Sequence, residues 1–236
     1  MSAHTPRDLR RRDTVVRELM DDPGCDPRRL AATYSRFGIV NRLVSGWGGV
    51  YRTHLAPALR TLGRPARVLD LGSGGGDVVR HLARLARADG LRVQWTGADP
   101  DDRALAAAAR RADPDVSFVC ATSGDLAADG ASYDAVISNH VLHHLDDELD
   151  AFAVDSLVLS SGPVLHSDIA RSRTAYALYA VGISPLAPGT FLRTDGLRSI
   201  RRSFTAPELQ HALGSGEWTV QEPGRFRVLA VGAGRA

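Results

Sequence analysis

The sequence contains no lysine, because all 29 of its basic residues are arginine. This excludes both a lysine Schiff base for pyridoxal phosphate and the lysine of a phosphate-binding P-loop. Its two cysteines, Cys25 and Cys120, are too few for a disulfide framework, which predicts a reducing, cytoplasmic location. No apolar run approaches the length of a membrane span, and none follows the charged N-terminal stretch as it would in a signal peptide.

The remaining composition is typical of a globular protein. Of the 236 residues, 44% are hydrophobic and 24% are charged, and the formal net charge is +2. So small a net charge gives no reason to expect nucleic acid or a membrane as a partner. The length predicts one substantial domain with a small appendage and leaves the oligomeric state open.

Two regions of the chain differ in pattern. Residues 1–63 are helical in pattern and contain no strand signal, whereas residues 64–236 alternate short apolar runs with helical stretches. This alternation predicts an α/β core with a mainly parallel sheet and helices on both faces. Residues 169–203 interrupt it, and an insertion of this length is usually functional. Two late apolar runs, "EWTVQE" and "FRVLAVG", predict an antiparallel pair of strands.

The segment "VLDLGSGGGDVV", residues 68–79, joins a predicted buried strand to a glycine-rich turn. Its glycines do not fit the G-x-G-x-x-G spacing of dinucleotide-binding folds, because the count from Gly72 or from Gly74 ends on another residue. An acidic residue followed by alternate glycines does fit: Asp70, Gly72, Gly74 and Gly76. This D-x-G-x-G-x-G pattern resembles motif I of the class I S-adenosylmethionine-dependent methyltransferases.

The resemblance implies a three-layer, Rossmann-like fold with a seven-stranded, mainly parallel sheet whose last strand is antiparallel. It also implies S-adenosylmethionine as the cofactor. This molecule carries a sulfonium and an α-ammonium group where a dinucleotide carries a pyrophosphate. A carboxylate at the end of a strand therefore suits it better than the positive end of a helix dipole.

Other motifs of the family suggest further contacts to the cofactor. Asp99 ends the next predicted strand, where the family places a carboxylate on the ribose hydroxyls, although Asp99 could instead cap the following helix. Asn139, in "YDAVISNHVLHHLDD", would lie beside the sulfonium. Thr122 and Ser123 replace the usual adenine-binding aspartate. The implied cofactor-binding residues are Asp70, Gly72, Ser73, Gly74, Gly76, Asp99, Pro100, Thr122, Ser123, Asn139 and His140.

Residues 32–59, "ATYSRFGIVNRLVSGWGGVYRTHLAPAL", resemble the segment that precedes the core in ubiquinone and menaquinone biosynthesis methyltransferases. The resemblance implies that residues 1–63 form a helical lid over cofactor and substrate, with Tyr34, Trp47 and Tyr51 against the acceptor. We therefore expect a core that folds without the first 50 or so residues. The alternative is that these aromatic side chains only pack a helical appendage.

The later stretch "HSDIARSRTAYALY…TDGLRSIRRSFTAPEL" is similar to actinobacterial small-molecule methyltransferases associated with type III polyketide synthases. This implies an acceptor from secondary metabolism, such as antibiotic biosynthesis, near Asp168, Arg171 and Arg193 on the substrate side. The arginines of "RTDGLRSIRR" form either a solvated face or a site for a carboxylate, phosphate or phosphonate of the substrate.

Methyl transfer from a sulfonium is an in-line displacement, and a neutral nucleophile must lose its proton. Histidine is the favoured base near neutral pH. The candidate catalytic residues are His140, His143 and His166, with His144 as a neighbour. We favour His140 because it follows Asn139. The i, i+3, i+4 spacing of three of these histidines also suggests a metal site, but no further ligands are evident, so we expect no metal.

The expected function is transfer of a methyl group from S-adenosylmethionine to a small molecule, at an oxygen of a phenolic or polyketide-type acceptor. Three alternatives stay open at this point. They are methylation at carbon of a quinone or polyketide ring, methylation of a carboxylate or phosphonate oxygen, and binding of S-adenosylmethionine without transfer.

Overall fold

A computed structural model describes residues 8–236, apart from the side chain of Leu43. The strands are β1 (Ala66–Leu71), β2 (Val93–Asp99), β3 (Val116–Cys120), β4 (Ala135–Asn139), β5 (Pro163–Ile169), β6 (Trp218–Gln221) and β7 (Arg227–Ala233). They form one sheet in the order β3-β2-β1-β4-β5-β7-β6. All pairings from β3 to β5 are parallel, whereas β7 runs antiparallel to both β5 and β6. The predicted mainly parallel sheet with an antiparallel last strand is confirmed.

Helices cover both faces of the sheet. They are α1 (Pro27–Val44), α2 (Trp47–Val50), α3 (Ala56–Arg60), α4 (Asp77–Ala88), α5 (Asp102–Ala108), α6 (Ser123–Ala128), α7 (Leu149–Val158), α8 (Arg173–Gly182), α9 (Leu192–Arg202) and α10 (Ala206–Leu213). A π-helical turn (Tyr51–Leu55) joins α2 to α3, and short 3₁₀ turns span Leu142–His144 and Ser184–Leu186. Within residues 8–236, no helix combines the length and the apolar character needed to cross a membrane.

Helical structure begins at Pro27 in the described part of the N-terminal region. The carboxylate of Asp26 accepts the backbone N–H groups of Arg28 and Arg29 at 2.8 and 3.3 Å, and Pro27 fits the first helical position because it has no N–H to satisfy. The preceding residues 8–26, which we call the strap, contain no regular helix or strand. The helical pattern expected from residue 1 is therefore not found in the strap.

Side chains of α9 and of the sheet ends hold the strap in place. Asp195 of α9 accepts the backbone N–H groups of Leu19 and Met20 at 2.8 and 3.0 Å. The guanidinium of Arg202 donates to the carbonyl of Val16 at 2.6 Å. Because its backbone groups are satisfied by these side chains, the strap keeps one path across the carboxyl ends of the strands.

The N-terminal helices are part of the main core. Trp47 and Tyr51 are each only 1% exposed and pack in one cluster with Val68 of β1 and Ile137 of β4. Removal of residues 1–50 would take Trp47 out of this cluster and leave a cavity that costs several kcal/mol. The structure therefore gives no support to the expectation that a core folds without those residues.

Candidate active site

A cavity of about 490 Å³ lies at the carboxyl ends of β1, β2 and β4. Asp70, the second-last residue of β1, and Asp99 and Asn139, which end β2 and β4, all line it. The strap, α1 and α9 contribute the opposite wall. This is the position at which open α/β sheets bind their ligands, because loops at the strand ends leave a crevice there.

The glycine loop after β1 forms one side of the cavity. Gly72, Gly74 and Gly76 have φ angles of +68°, +52° and +72°, which side chains rarely adopt. A Cβ on Gly74 would find no neighbour closer than Tyr34, 4.0 Å away, so the space beside this glycine is open. The loop therefore needs glycine for its backbone path and leaves room for a ligand at Gly74.

Asp70 carries a buried carboxylate that has no hydrogen-bond partner among the described residues. Its side chain is only 1% exposed. Burial, and next the charges of Asp77 and Asp99, raise the pKa of Asp70 well above its ordinary value. A buried, unpaired carboxylate is costly, and a cation in the cavity would relieve that cost.

Asp99 supports the glycine loop and is not the cap of the next helix. Its Oδ2 accepts the backbone N–H of Gly74 at 2.8 Å, and its Oδ1 accepts that of Asp101 at 2.9 Å. Asp101 caps α5 by accepting the N–H of Arg103. Burial raises the pKa of Asp99 above its usual range. Of the two alternatives for Asp99, the structure favours the one in which its carboxylate faces the cavity.

The end of β4 presents Asn139 and His140 to the cavity. The indole N–H of Trp47 donates to Oδ1 of Asn139 at 2.9 Å, which fixes the side-chain amide. His140 has a φ of +61°, and its Nδ1 lies 3.8 Å from Oδ1 of Asp168. Burial lowers the pKa of His140 to about 4, so its imidazole is neutral at physiological pH. A neutral imidazole can accept a proton.

His143 lies between two carboxylates. Its Nδ1 is 2.8 Å from Oδ1 of Asp168, and its Nε2 is 3.2 Å from Oε1 of Glu18 in the strap. Burial by itself would lower the pKa of His143, but Asp168 and Glu18 outweigh burial and raise it to about 10. His143 is therefore an imidazolium at neutral pH, and its charge is balanced on both sides.

Glu18 is the residue of this site that sequence reasoning missed. It is 7% exposed, lines the cavity and lies 125 residues from His143, in a strap that has no periodic pattern to predict its position. Glu18, His143 and His144 each place one possible ligand atom within 4.8 Å of the others, a grouping that could hold a cation. The proton on His143 already supplies a positive charge to this group.

Several predicted site residues do not reach the cavity. The hydroxyl of Thr122 forms a capping box with Asp125 of α6, and the hydroxyl of Ser123 donates to Asp155 at 2.7 Å. Both hydroxyls are therefore already hydrogen-bonded to carboxylates of the protein. Neither residue lines the cavity, so the structure does not place them as adenine contacts.

His166 and Tyr51 are core residues in this structure. Nδ1 of His166 is 2.8 Å from the hydroxyl of Ser138, and the ring packs between Phe152 and Trp218. Burial lowers the pKa of His166 to about 3. The hydroxyl of Tyr51 donates to the carboxylate of Asp89 at the end of α4, and neither residue lines the cavity. The structure therefore does not bring either residue to the methyl acceptor.

The predicted arginines are not positioned to bind the acceptor either. Arg171 is 5% exposed and is occupied by Glu208 and by the carbonyl of Ser203. Arg193 is exposed and does not line the cavity. Arg202 is buried and donates to the carbonyl of His143 at 2.9 Å. These side chains stabilise the insertion and the strap, so most of this arginine cluster is structural.

A family model described as a methyltransferase domain matches residues 68–159, the span that contains the glycine loop and the ends of β2 and β4. This match and the O-methyltransferase relatives described next support a class I S-adenosylmethionine-dependent methyltransferase. Of the residues that the sequence resemblance implies for the cofactor, Gly72, Gly74, Asp70, Asp99 and Asn139 line the cavity, whereas Thr122 and Ser123 do not.

Curated relatives of the chain include ubiquinone biosynthesis O-methyltransferases. The mitochondrial protein of Arabidopsis thaliana is 32% identical over 122 residues, which are 49% of this chain and 36% of the relative. The protein of Methylocella silvestris is 28% identical over 172 residues, which are 67% of this chain and 65% of the relative. The chain thus spans between about a third and two thirds of the length of these two relatives.

Solved structures show the same fold at low sequence identity. The plantazolicin methyltransferase BpumL, in complex with a pentazolic desmethylPZN analog and SAH, aligns with a TM-score of 0.59 and 12% identity, covering 89% of this chain and 96% of that one. The CurJ carbon methyltransferase aligns with a TM-score of 0.62 and 15% identity, covering 89% of this chain and 61% of that one. At these identities the likeness supports the fold alone.

Proposed function

We propose that the chain transfers a methyl group from S-adenosylmethionine to an oxygen of a small, largely apolar acceptor. The observation that carries this proposal is the orphaned carboxylate of Asp70, buried beside the glycine loop and facing the cavity. A ligand with a cationic group would pair with it, and S-adenosylmethionine carries two such groups. When bound, this cofactor supplies the methyl group as an electrophile.

The residues around Asp70 fit the rest of that cofactor. Asp99 presents a carboxylate at the end of β2, where ribose hydroxyls could donate to it. Gly74 leaves open space along the loop. Asn139 holds a fixed amide at the end of β4, next to His140. Asp70, Gly74, Asp99 and Asn139 would therefore hold the cofactor, with its methyl group directed toward His140.

The acceptor side of the cavity combines an apolar patch with a neutral basic group. The apolar lining includes Phe37, Val40 and Leu192, which belong to a hydrophobic cluster between α1, α8 and α9. His140 is the neutral base that faces the same space. This combination suits a phenol with an apolar substituent. The curated relatives are O-methyltransferases by name, which also favours oxygen as the acceptor atom.

In the proposed reaction, His140 would accept the proton of the phenolic hydroxyl. The methyl group would pass from the sulfonium sulfur of the bound cofactor to the phenolic oxygen, and S-adenosylhomocysteine would be the leaving product. The carboxylate of Asp168, 3.8 Å from Nδ1 of His140, stabilises the imidazolium that forms. The strap and α1 exclude water from the reacting atoms, since both line the cavity. The proton leaves His140 for solvent when the product departs.

The contacts of the arginines weigh against an acceptor whose reacting oxygen is a carboxylate or a phosphonate. Within residues 8–236 the only arginine that lines the cavity is Arg103, and its guanidinium is paired with Asp101 at 2.7 Å. The acceptor side instead carries Glu18 and Asp195. An anionic acceptor would meet repulsion there and no free guanidinium.

The experiment is replacement of His140 by alanine, assayed with alkyl-substituted catechols as probe acceptors. We expect the Kd for S-adenosylhomocysteine to stay unchanged and turnover to fall at least about tenfold, with part of the loss recovered at high pH, where the phenol ionises by itself. His144→Ala is the matched control and should cost less. Mass fragmentation of the product distinguishes O-methylation from C-methylation of the ring. Cofactor binding without turnover on any probe would favour a non-catalytic binding protein.

A further inference from the structure

A second cavity, of about 790 Å³, lies between α1, α4 and α5. We call it the arginine groove. Its lining includes small residues from two of these helices: Ala31, Ser35, Gly38, Ala106 and Ala107. Such small side chains leave space for a ligand between the helices, and the volume is in the range of small-molecule sites. Tyr34 and Gly75 line both this groove and the cofactor cavity, so the two spaces are neighbours.

The lining of the groove is strongly basic. It includes six arginines and two aspartates: Arg42, Arg80, Arg84, Arg103, Arg110, Arg111, Asp77 and Asp113. The formal net charge of the whole chain is only +2. The groove therefore concentrates more positive charge than the protein carries overall. Clefts lined by one sign of charge focus the electric field and attract ligands of the opposite sign.

Two of the six arginines have structural roles. Arg80 donates to backbone carbonyls, including that of Gly75 at 2.8 Å, and Arg103 pairs with Asp101. The other four are exposed, and none forms an ion pair with a carboxylate in the described part of the chain. These four are Arg42, Arg84, Arg110 and Arg111. Arg42 lies on α1 and Arg84 on α4, Arg110 and Arg111 follow the end of α5, and all four line one space.

The two aspartates do not neutralise these four arginines. Asp113 is held by the guanidinium of Arg87, at 2.7 and 3.0 Å, and Arg87 does not line the groove. Asp77 accepts a hydrogen bond from the side-chain amide of Asn41 at 2.8 Å. Burial raises the pKa of Asp77 above its usual range. The positive charge of the groove thus remains largely uncompensated.

His81, which also lines the groove, has a pKa that is affected by the positive charges around it. Burial, and next the charges of Arg84 and Arg42, lower the pKa of His81 below its usual range. Two arginines from different helices, α1 and α4, therefore act on one imidazole. Their charges are directed into the same space and are not dispersed over the surface.

We propose that the arginine groove is a binding site for a phosphate-bearing small molecule, with Arg42, Arg84, Arg110 and Arg111 as its ligands. Guanidinium groups pair with phosphate oxygens in bidentate fashion, and several of them from separate helices fit a ligand with more than one phosphate. The site is separate from the methyl-transfer site and does not depend on the reaction proposed there. A polyphosphate chain or a nucleotide could supply the phosphates.

The test uses inorganic triphosphate and ATP as probes, titrated into the full chain by calorimetry. We expect saturable, one-to-one binding of triphosphate that weakens as salt is added. The double variant Arg84→Gln/Arg110→Gln should raise the Kd at least about tenfold, which corresponds to about 1.4 kcal/mol. The matched control, Arg173→Gln/Arg225→Gln, removes the same charge from exposed arginines elsewhere and should change the Kd less than about twofold.

Each outcome decides the proposal. Tighter binding of ATP than of triphosphate would identify a nucleotide as the source of the phosphates, whereas equal binding would identify the polyphosphate chain. The Kd for S-adenosylhomocysteine should be the same in both double variants, because none of the four substituted arginines lines the cofactor cavity. The proposal fails if no binding is detected with triphosphate at about 1 mM, a concentration well above the Kd of a typical small-molecule ligand. It also fails if both double variants weaken binding equally, or if single-stranded RNA binds more tightly than either probe.

Discussion

The indole N–H of Trp47 and the side-chain oxygen of Asn139 are joined by a hydrogen bond of 2.9 Å. Trp47 begins α2 and is 1% exposed, and Asn139 ends β4 at the cavity. The bond therefore links the core packing of the N-terminal helices to the orientation of one cofactor-facing amide. A change in the helical region should be felt at the cofactor through this contact.

We predict that Trp47→Phe weakens binding of S-adenosylhomocysteine as well as lowering stability. The variant keeps an aromatic ring in the core but removes the donor to Asn139, so the amide can rotate. A lost hydrogen bond of this kind costs about 1 kcal/mol in stability. Tyr51→Phe is the matched control, because it removes a hydrogen bond to Asp89 that is remote from the cavity. Urea unfolding should show a stability loss in both variants, larger in Trp47→Phe because its smaller ring leaves a cavity, and calorimetry should show weaker ligand binding only in Trp47→Phe.

Two substitutions can distinguish a side chain that blocks the cofactor from one that only strains the backbone at a positive φ. Gly74→Val places a branched side chain where φ is +52° and where the cofactor would pass. We expect loss of S-adenosylhomocysteine binding while the circular dichroism spectrum is retained. Gly90→Val is the control, since Gly90 has a φ of +72° in an open turn after α4, away from the cavity. If Gly90→Val lost the ligand to the same extent, strain and not occupancy of the site would explain the result.

The features of this site that follow from local chain geometry could be predicted from sequence. Alternate glycines after a buried strand predict the turn at Gly72 and Gly74, and a carboxylate at the end of each strand predicts Asp70 and Asp99 at one edge of the sheet. The turn follows from the local pattern, whereas the role of Asp70 and Asp99 as cofactor ligands is implied by the resemblance to the methyltransferase motifs. The structure places all four residues on the cavity.

The features that depend on distant pairings could not be predicted in this way. Glu18 reaches His143 across 125 residues, and nothing in the strap sequence distinguishes it from the other acidic residues nearby. Thr122 was misleading for a local reason. Its hydroxyl could contact adenine, but it could equally cap the first turn of α6. In the structure it forms the capping box with Asp125.

Asp70 should show a trade between stability and binding. Its pKa is raised in the folded state, so stability falls as pH rises from the ordinary value of 3.8 toward that raised pKa. Asp70→Asn removes this penalty, and we expect the ligand-free variant to be about 1–3 kcal/mol more stable at pH 7. The gain should shrink as the pH falls toward about 4. The same variant should bind S-adenosylhomocysteine far more weakly.

Asp134→Asn is the matched control for Asp70, because Asp134 is also buried but is paired with Arg64. This control should lose stability and keep its affinity for the ligand. Thermal unfolding of the ligand-free proteins between about pH 4 and pH 8 measures both effects. A destabilised Asp70→Asn would contradict the finding that its carboxylate is unpaired in the folded protein.

Glu18 and His143 should make stability depend on pH at both ends of the range. The pKa of His143 is raised from 6.5 to about 10, so its contribution is complete below 6.5 and disappears as pH rises through about 10. Burial by itself would raise the pKa of Glu18, but His143, His144 and Ser199 together outweigh burial and hold it near 2 against an ordinary 4.5. The contribution of Glu18 is therefore complete above 4.5 and disappears as pH falls through about 2.

Glu18→Gln tests this pair directly. The variant leaves His143 with Asp168 as its one close carboxylate, so we expect about 3 kcal/mol less stability at pH 7, the usual loss when one partner of a buried ion pair is removed. The alkaline loss of stability should also move to lower pH, because His143 then gives up its proton more easily. Asp21→Asn is the control: Asp21 is exposed and lies 3.5 Å from His144, so its removal should cost less than about 1 kcal/mol. Urea unfolding from about pH 5 to pH 10 provides the curves. Parallel curves for Glu18→Gln and the unmodified chain would mean that Glu18 does not hold the proton on His143, and that the strap is bound by its arginine and Asp195 contacts alone.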